Sequence, residues 1–192
     1  MEFALRYDGQ LAGGQSSHQR EIKNALRLTF HRQLEQLVST RWDLRAAVSR
    51  ELPVAILNGE RLEVPGGMPD GFFIVERAGI QWVPMYSQIR ADFIKVRIEI
   101  YRRQWLHGIL YPGGDLDNQA KVILDGLRLP QDDNESKDFD MPAGSRCYCL
   151  LENDSLISEV SIASKQHLID AQPGYASLMI YVDVTPARWV NM

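Results

Sequence analysis

Apolar residues recur at two different periods along this chain. Between about Ser17 and Val38 they fall at Ile22, Leu26, Phe30, Leu34 and Leu37, the stripe of an amphipathic helix with one buried face. A second helix is expected directly behind Asp115, where Ala120, Ile123, Leu124 and Leu127 keep the i, i+3, i+4, i+7 spacing. Elsewhere the period is two, as in strands. Such runs lie near Phe3–Tyr7, at Phe93–Arg102 and at Ala176–Val184. Ile94, Val96, Ile98 and Ile100 share one parity and so one face, with Phe93 on the other. Phe72–Glu76 and Ile80–Met85 read as a hairpin across Arg77-Ala78-Gly79, and Leu156, Ile157, Val160 and Ile162 as a further strand. A short helix is expected at Arg41–Leu52, followed by a Pro/Gly-rich stretch, and residues 134–144 read as a polar loop. The sum is an α/β fold of the α+β type, a mixed β-sheet packed by two main helices. One domain, residues 1–192, is expected, with elaborations at about 40–70 and 128–150.

Composition narrows the class. The 192 residues are 45% hydrophobic, enough to bury a core of their own. No apolar run reaches the length of a membrane span, and Met-Glu-Phe-Ala-Leu-Arg-Tyr-Asp is not a signal peptide, so a cytoplasmic location is the expectation. Cys147 and Cys149 would share a face of a strand, where they read as buried core thiols rather than a disulfide. His18, His31, His107 and His167 show no metal-ligand spacing and read as surface residues.

The candidate chemistry lies at the start of the second helix. Asp115 and Asp117 are two residues apart; Asp115 sits in an extended run, and Asp117 suits the N-cap. Two carboxylates about 4–5 Å apart repel by roughly 3–4 kcal/mol at an effective dielectric near 20, a cost that a divalent cation removes. An all-oxygen site without His or Cys suits Mg²⁺ or Mn²⁺ better than Zn²⁺. Lys121, one turn in, steps by four with Asp117 and Asp125 along a side distinct from the apolar stripe, where it could meet an anion. Carboxylates, a hard metal and a lysine are what phosphodiester hydrolysis needs. The plainer reading of the same residues is a capping Asp, a second surface Asp and an i,i+4 ion pair.

The pattern D-L-D-N-x-x-K-x-x-x-D-x-L over residues 115–127 resembles the signature of the RusA family of Holliday-junction resolvases. The downstream run Leu151-Glu-Asn-Asp-Ser-Leu-Ile-Ser-Glu-Val-Ser-Ile162 resembles that family's acidic pair and following strand, and the element order before the motif also fits. The resemblance implies that Asp115, Asp117 and Asp154 hold Mg²⁺ (Mn²⁺ as a substitute), with Lys121 acting beside them as the fourth catalytic residue and Asn118 supporting the metal shell or the helix start. It implies cleavage of four-way or other branched DNA by a homodimer, with metal-activated water attacking the phosphodiester.

Departures from the pattern are specific. Asn153 stands where the family has an acid. The connection from Leu127 to Asp154 is long and holds its own acidic pair, Asp132-Asp133; Asp154 is preferred because a strand pattern follows it. Tyr111-Pro-Gly-Gly114 replaces the basic residues that the family tends to carry before its motif. A RusA-like module that binds nucleic acid or protein without cutting is therefore the alternative, and a hydrolase of another phosphate ester a third.

Charge bears on the same question. The net charge is −4, which disfavours a nucleic-acid enzyme, because phosphate binding wants a basic surface. The acidity is local: residues 1–112 carry 15 Lys+Arg against 12 Asp+Glu, and residues 113–140 carry 3 against 8. The expected phosphate contacts are Arg20, Lys23 and Arg27, which form a stripe with His31 beside the first helix's apolar face, and Arg102 and Arg103 at the end of the strand before Asp115. A solvated helix face is the plainer account of that stripe.

Overall fold

The structure is a computed structural model; it describes residues 1–11, 16–41, 74–87, 92–102, 116–166 and 174–186. Among these, the elements run β1 (Glu2–Gln10), α1 (Ser16–Thr40), β2 (Val75–Arg77), β3 (Ile80–Tyr86), β4 (Asp92–Arg102) and α2 (Leu116–Leu127). They continue with β5 (Arg146–Leu151), a 3-10 turn (Asp154–Leu156), β6 (Ile157–Gln166) and β7 (Tyr175–Pro186). The fold is mixed α+β, but its strands form two sheets where one was expected. The larger has the order β1-β7-β4-β6 and the smaller β2-β3-β5. β4 pairs with β6, and β3 with β5, in parallel; the other pairs are antiparallel.

The larger sheet is built by alternation. Ile94, Val96, Ile98 and Ile100 face inward beside Val184, Val182, Ile180 and Leu178 of β7, and Leu5 and Tyr7 extend the same rows. Phe93, of opposite parity, is 57% exposed. α1 buries Ile22, Leu26, Phe30 and Leu34 in this core and adds Val38. α2 meets α1 at Gly126, where a Cβ would lie 3.0 Å from Leu26 Cβ; the glycine lets the helices close.

The second sheet has a different cause. β5 lies in the stretch 128–150 expected to be an elaboration. Its run Cys147-Tyr-Cys-Leu-Leu151 is buried throughout, the signature of a strand covered on both faces. Tyr148 and Leu150 enter the main core; Cys147 and Cys149 enter a smaller one with Val75, Ile80, Trp82 and Leu129. Both thiols are free and buried, as expected. Burial pushes both up, Cys149 to about 12, so neither is a ready nucleophile. The β2–β3 hairpin turns on Ala78 and Gly79, both with positive φ (48° and 76°), as a tight two-residue hairpin requires.

One expectation is corrected here. His31 is not a surface residue: it is 6% exposed, on the face of α1 that packs against β5. Its Nδ1 accepts the Tyr148 N–H at 3.0 Å and its ring stacks on Tyr148. The helix expected at 41–52 and the elaboration at 42–70 lie outside the described residues, as do His107 and His167. Among the described residues no helix is long and apolar enough to cross a membrane.

Candidate functional site

α2 divides its charged residues by depth. Its N-terminal half exposes Asp117, Asn118 and Lys121, while Gln119, Ala120, Val122 and Ile123 are buried beneath them. The helix begins at Leu116, so Asp117 occupies its first turn rather than the cap. There the carboxylate still meets the positive end of the helix dipole. Neither Asp117 nor Lys121 makes a hydrogen bond or ion pair to another described residue, so the i,i+4 pair of the plainer reading does not form. Asp115 lies outside the described residues, as does Arg103.

Asp154 opens the 3-10 turn and is exposed. Asn153, where an acid was expected, caps this turn: its Oδ1 accepts the Ser155 N–H at 3.0 Å and also the Ser155 hydroxyl. An amide does this as well as a carboxylate and adds no charge beside Asp154. The rival acidic pair is committed elsewhere. Asp132 Oδ1 accepts the Glu135 N–H at 2.9 Å, and Asp133 Oδ1 accepts the Ala78 N–H at 2.8 Å. Both therefore shape the 131–144 loop, and Asp154 is the freer carboxylate.

The end of α2 is tied to the strand that leads to Asp154. Arg128 bridges to Leu151, and the Leu129 N–H reaches the Leu151 carbonyl at 2.8 Å. Asp117 lies at the other end of the helix, roughly 16 Å along its axis from that junction. Among the described residues, no three His, Cys, Asp or Glu side chains form a group that could hold a metal ion.

The C-terminal half of α2 holds a buried ionic cluster that sequence reasoning missed. Asp125, 8% exposed, pairs with Lys23 at 2.6 Å and with Arg128 at 2.7 Å. Arg128 also reaches Glu135 at 3.0 Å, and Arg27 reaches the same carboxylate at 3.2 Å. Burial pushes the Glu135 carboxyl up; hydrogen bonds from Arg128 and the Gln131 amide and the charges of Arg128 and Arg27 outweigh it, holding the group at about 2. The signals were the i,i+3 spacing of Asp125 and Arg128 and the one-turn spacing of Lys23 and Arg27 beside an apolar stripe.

This cluster changes the reading of the basic stripe. Arg27, 1% exposed, has its guanidinium on Glu135 and on the Asp125 carbonyl, with Trp82 at 5.9 Å, so it is not available to a phosphate. Lys23 faces Asp125, and Arg20 pairs with Asp138 at 3.3 Å. The stripe faces α2 and the loop after it instead of forming a free cationic surface. Arg102 is half-buried at the end of β4, with its Nε unpartnered among the described residues. It is the stronger phosphate candidate.

Compared with protein-family models, curated proteins and solved structures, the chain finds no match.

Proposed function

We propose that the chain is a Mg²⁺-dependent, structure-selective endodeoxyribonuclease of the RusA type, cutting Holliday-junction or other branched DNA. The observation that carries this reading is the exposure of Asp117 and Lys121 on α2, whose remaining charged residue, Asp125, is neutralised inside the fold, and of Asp154 on the 3-10 turn; none of the three is paired with another described residue. Unpaired carboxylates, an all-oxygen donor set, fit Mg²⁺, or Mn²⁺ in its place. By resemblance, Asp117 would hold the ion with Asp115 and Asp154; when bound, it would supply charge neutralisation and a water acidic enough to attack a phosphodiester.

The remaining chemistry belongs to the chain. Lys121, one turn from Asp117, places its ammonium on charge developing at the scissile phosphate. Arg102 would bind a neighbouring phosphate. Asn118 supports the start of the helix. A twofold homodimer in the cytoplasm, with one site per copy, suits a symmetric four-way junction.

The test is incubation of a labelled synthetic four-way junction with Mg²⁺ and either the wild type or Asp117→Asn. Paired symmetric nicks made only by the wild type are expected. Full cleavage by Asp117→Asn overturns the assigned role. One observation favours the alternative, a module that binds without cutting: Asn153 is spent on capping, which leaves one carboxylate fewer than the family pattern. Junction binding without cleavage in both Mg²⁺ and Mn²⁺ would select it.

A further inference from the structure

The two sheets end in four strand edges, β1 and β6 on the larger and β2 and β5 on the smaller. An open edge leaves a row of backbone N–H and C=O groups without partners, a template for another strand. Three of the four are managed within the fold. On β1 the side-chain amide of Gln33 stands in for a strand: its Oε1 accepts the Arg6 N–H at 2.8 Å and its Nε2 donates to the Arg6 carbonyl at 2.7 Å. On β5, His31 accepts the Tyr148 N–H and the Leu129 N–H donates to the Leu151 carbonyl. β2 is only three residues long.

β6 differs on each count. It is ten residues long and has no proline. Its side away from β4 meets no strand and no capping side chain among the described residues. Val160 pairs with Val96 and shares its face of the sheet, yet Val96 is core and Val160 is 42% exposed. Ile162, two residues on and on the same face, is half-buried. Glu159 and Lys165, on the opposite face, are exposed.

We infer that the β6 edge docks a second copy of this chain, its own β6 running antiparallel about a twofold axis, so that two four-stranded sheets become one of eight strands, within the range of open sheets. An axis perpendicular to the sheet pairs residues of equal parity, since paired residues share a face. Centred on Ile162, it sets Ile162 against itself, Val160 against Ser164, and Glu159 against Lys165 of the second copy, twice. Within each copy Glu159 already touches Lys95 at 3.0 Å, and Lys165 touches Glu99 at 2.8 Å. The pairing joins these into a row of alternating sign, Lys95, Glu159, Lys165, Glu99, at each end of the seam. A parallel, in-register pairing would set Glu159 against itself. The inference rests on the homodimer of the proposed reading for the identity of the partner; its test uses neither metal nor DNA, so the two fail separately.

The full chain in EDTA is followed by sedimentation equilibrium, as wild type, as Glu159→Lys, as Lys165→Glu and as an equal mixture of the two variants. A wild-type dimer is expected. Each variant alone sets like charges opposite one another at both ends of the seam and should weaken self-association at least about tenfold. Mixed, the two variants recover both opposite-charge pairs and should associate about as tightly as wild type. Val160→Lys, which brings a charge onto the apolar side of the seam, should weaken the dimer by at least about tenfold as well. A wild type that is monomeric at every concentration overturns the inference. So does a dimer that the variants leave unchanged, or a mixture of folded variants that associates no better than its components. Should a variant fail to fold, the wild type decides: amide exchange in residues 158–166 should slow as concentration rises, and exchange independent of concentration overturns the inference.

Discussion

The two halves of α2 each carry an aspartate and use it oppositely. In the first half, Asp117 and Lys121 are exposed and make no ion pair with each other or with another described residue. In the second half, Asp125 sits between Lys23 and Arg128, almost out of water. The difference comes from what lies opposite. α1 and the 131–138 turn cover the second half, where an unpaired charge would cost several kcal/mol, so each charge there has a partner. An exposed half has no such requirement and can keep charges unpaired for a ligand. Depth, and not residue type, separates the charges that hold this fold from those that could work on a substrate.

The largest expected effect breaks that contrast at the exposed end. Asp117→Asn should lower junction cleavage at least about a hundredfold, the scale of losing a group that stabilises the transition state. Its unfolding free energy from urea denaturation should stay within about 0.5 kcal/mol of wild type, as for a surface change; a large loss of stability would place Asp117 among the structural charges. Lys121→Gln should behave alike in stability, with a smaller fall in cleavage, roughly tenfold to a hundredfold.

At the buried end the expectation reverses. Arg128→Ala removes the cation that Asp125 and Glu135 share, leaves Lys23 and Arg27 as their remaining partners, and should cost about 2–3 kcal/mol, read from chemical denaturation. Loss of under 1 kcal/mol would show that Lys23 and Arg27 suffice.

Acid titration sharpens the same comparison. Glu135, held at about 2, is depressed below its unfolded value, so its contribution is present above about pH 4.5 and disappears as pH falls from there to about 2. Wild type should lose stability across that window more steeply than Glu135→Gln; parallel curves would remove Glu135 from the cluster. His31 acts in a separate window. Burial lowers its pKa, with Glu35 opposing, and its Nδ1 accepts from Tyr148. Stability should begin to fall as pH drops below about 6.5, because the unfolded chain takes up that proton first. The smallest effect is packing: Gly126→Ala, which would press a methyl on Leu26, should cost about 1–3 kcal/mol without acid dependence.

Much of the fold is local and therefore legible. The stripe Ile22, Leu26, Phe30, Leu34 became the buried face of α1, and the parity of Ile94 to Ile100 became the inner face of β4, because periods of 3.6 and 2 are properties of the backbone alone. The hairpin at Ala78-Gly79 and the buried pair Cys147 and Cys149 were readable on the same grounds. The motif residues Asp117 and Lys121 were legible as an outward face, since the apolar stripe of their own helix assigns the other side.

What the tertiary structure alone decided is which charges turn inward. Arg20, Lys23, Arg27 and His31 have the spacing of a helix face, and that spacing is the same whether solvent, DNA or another helix lies opposite. Only the docking of α2, β5 and the 131–138 turn made Arg27 and His31 interior and spent Asp132 and Asp133 on a loop. The division into two sheets was decided in the same way. A run such as Cys147 to Leu151 specifies burial on both faces but no partner, and its pairing with β3 comes from long-range contacts that no local pattern records.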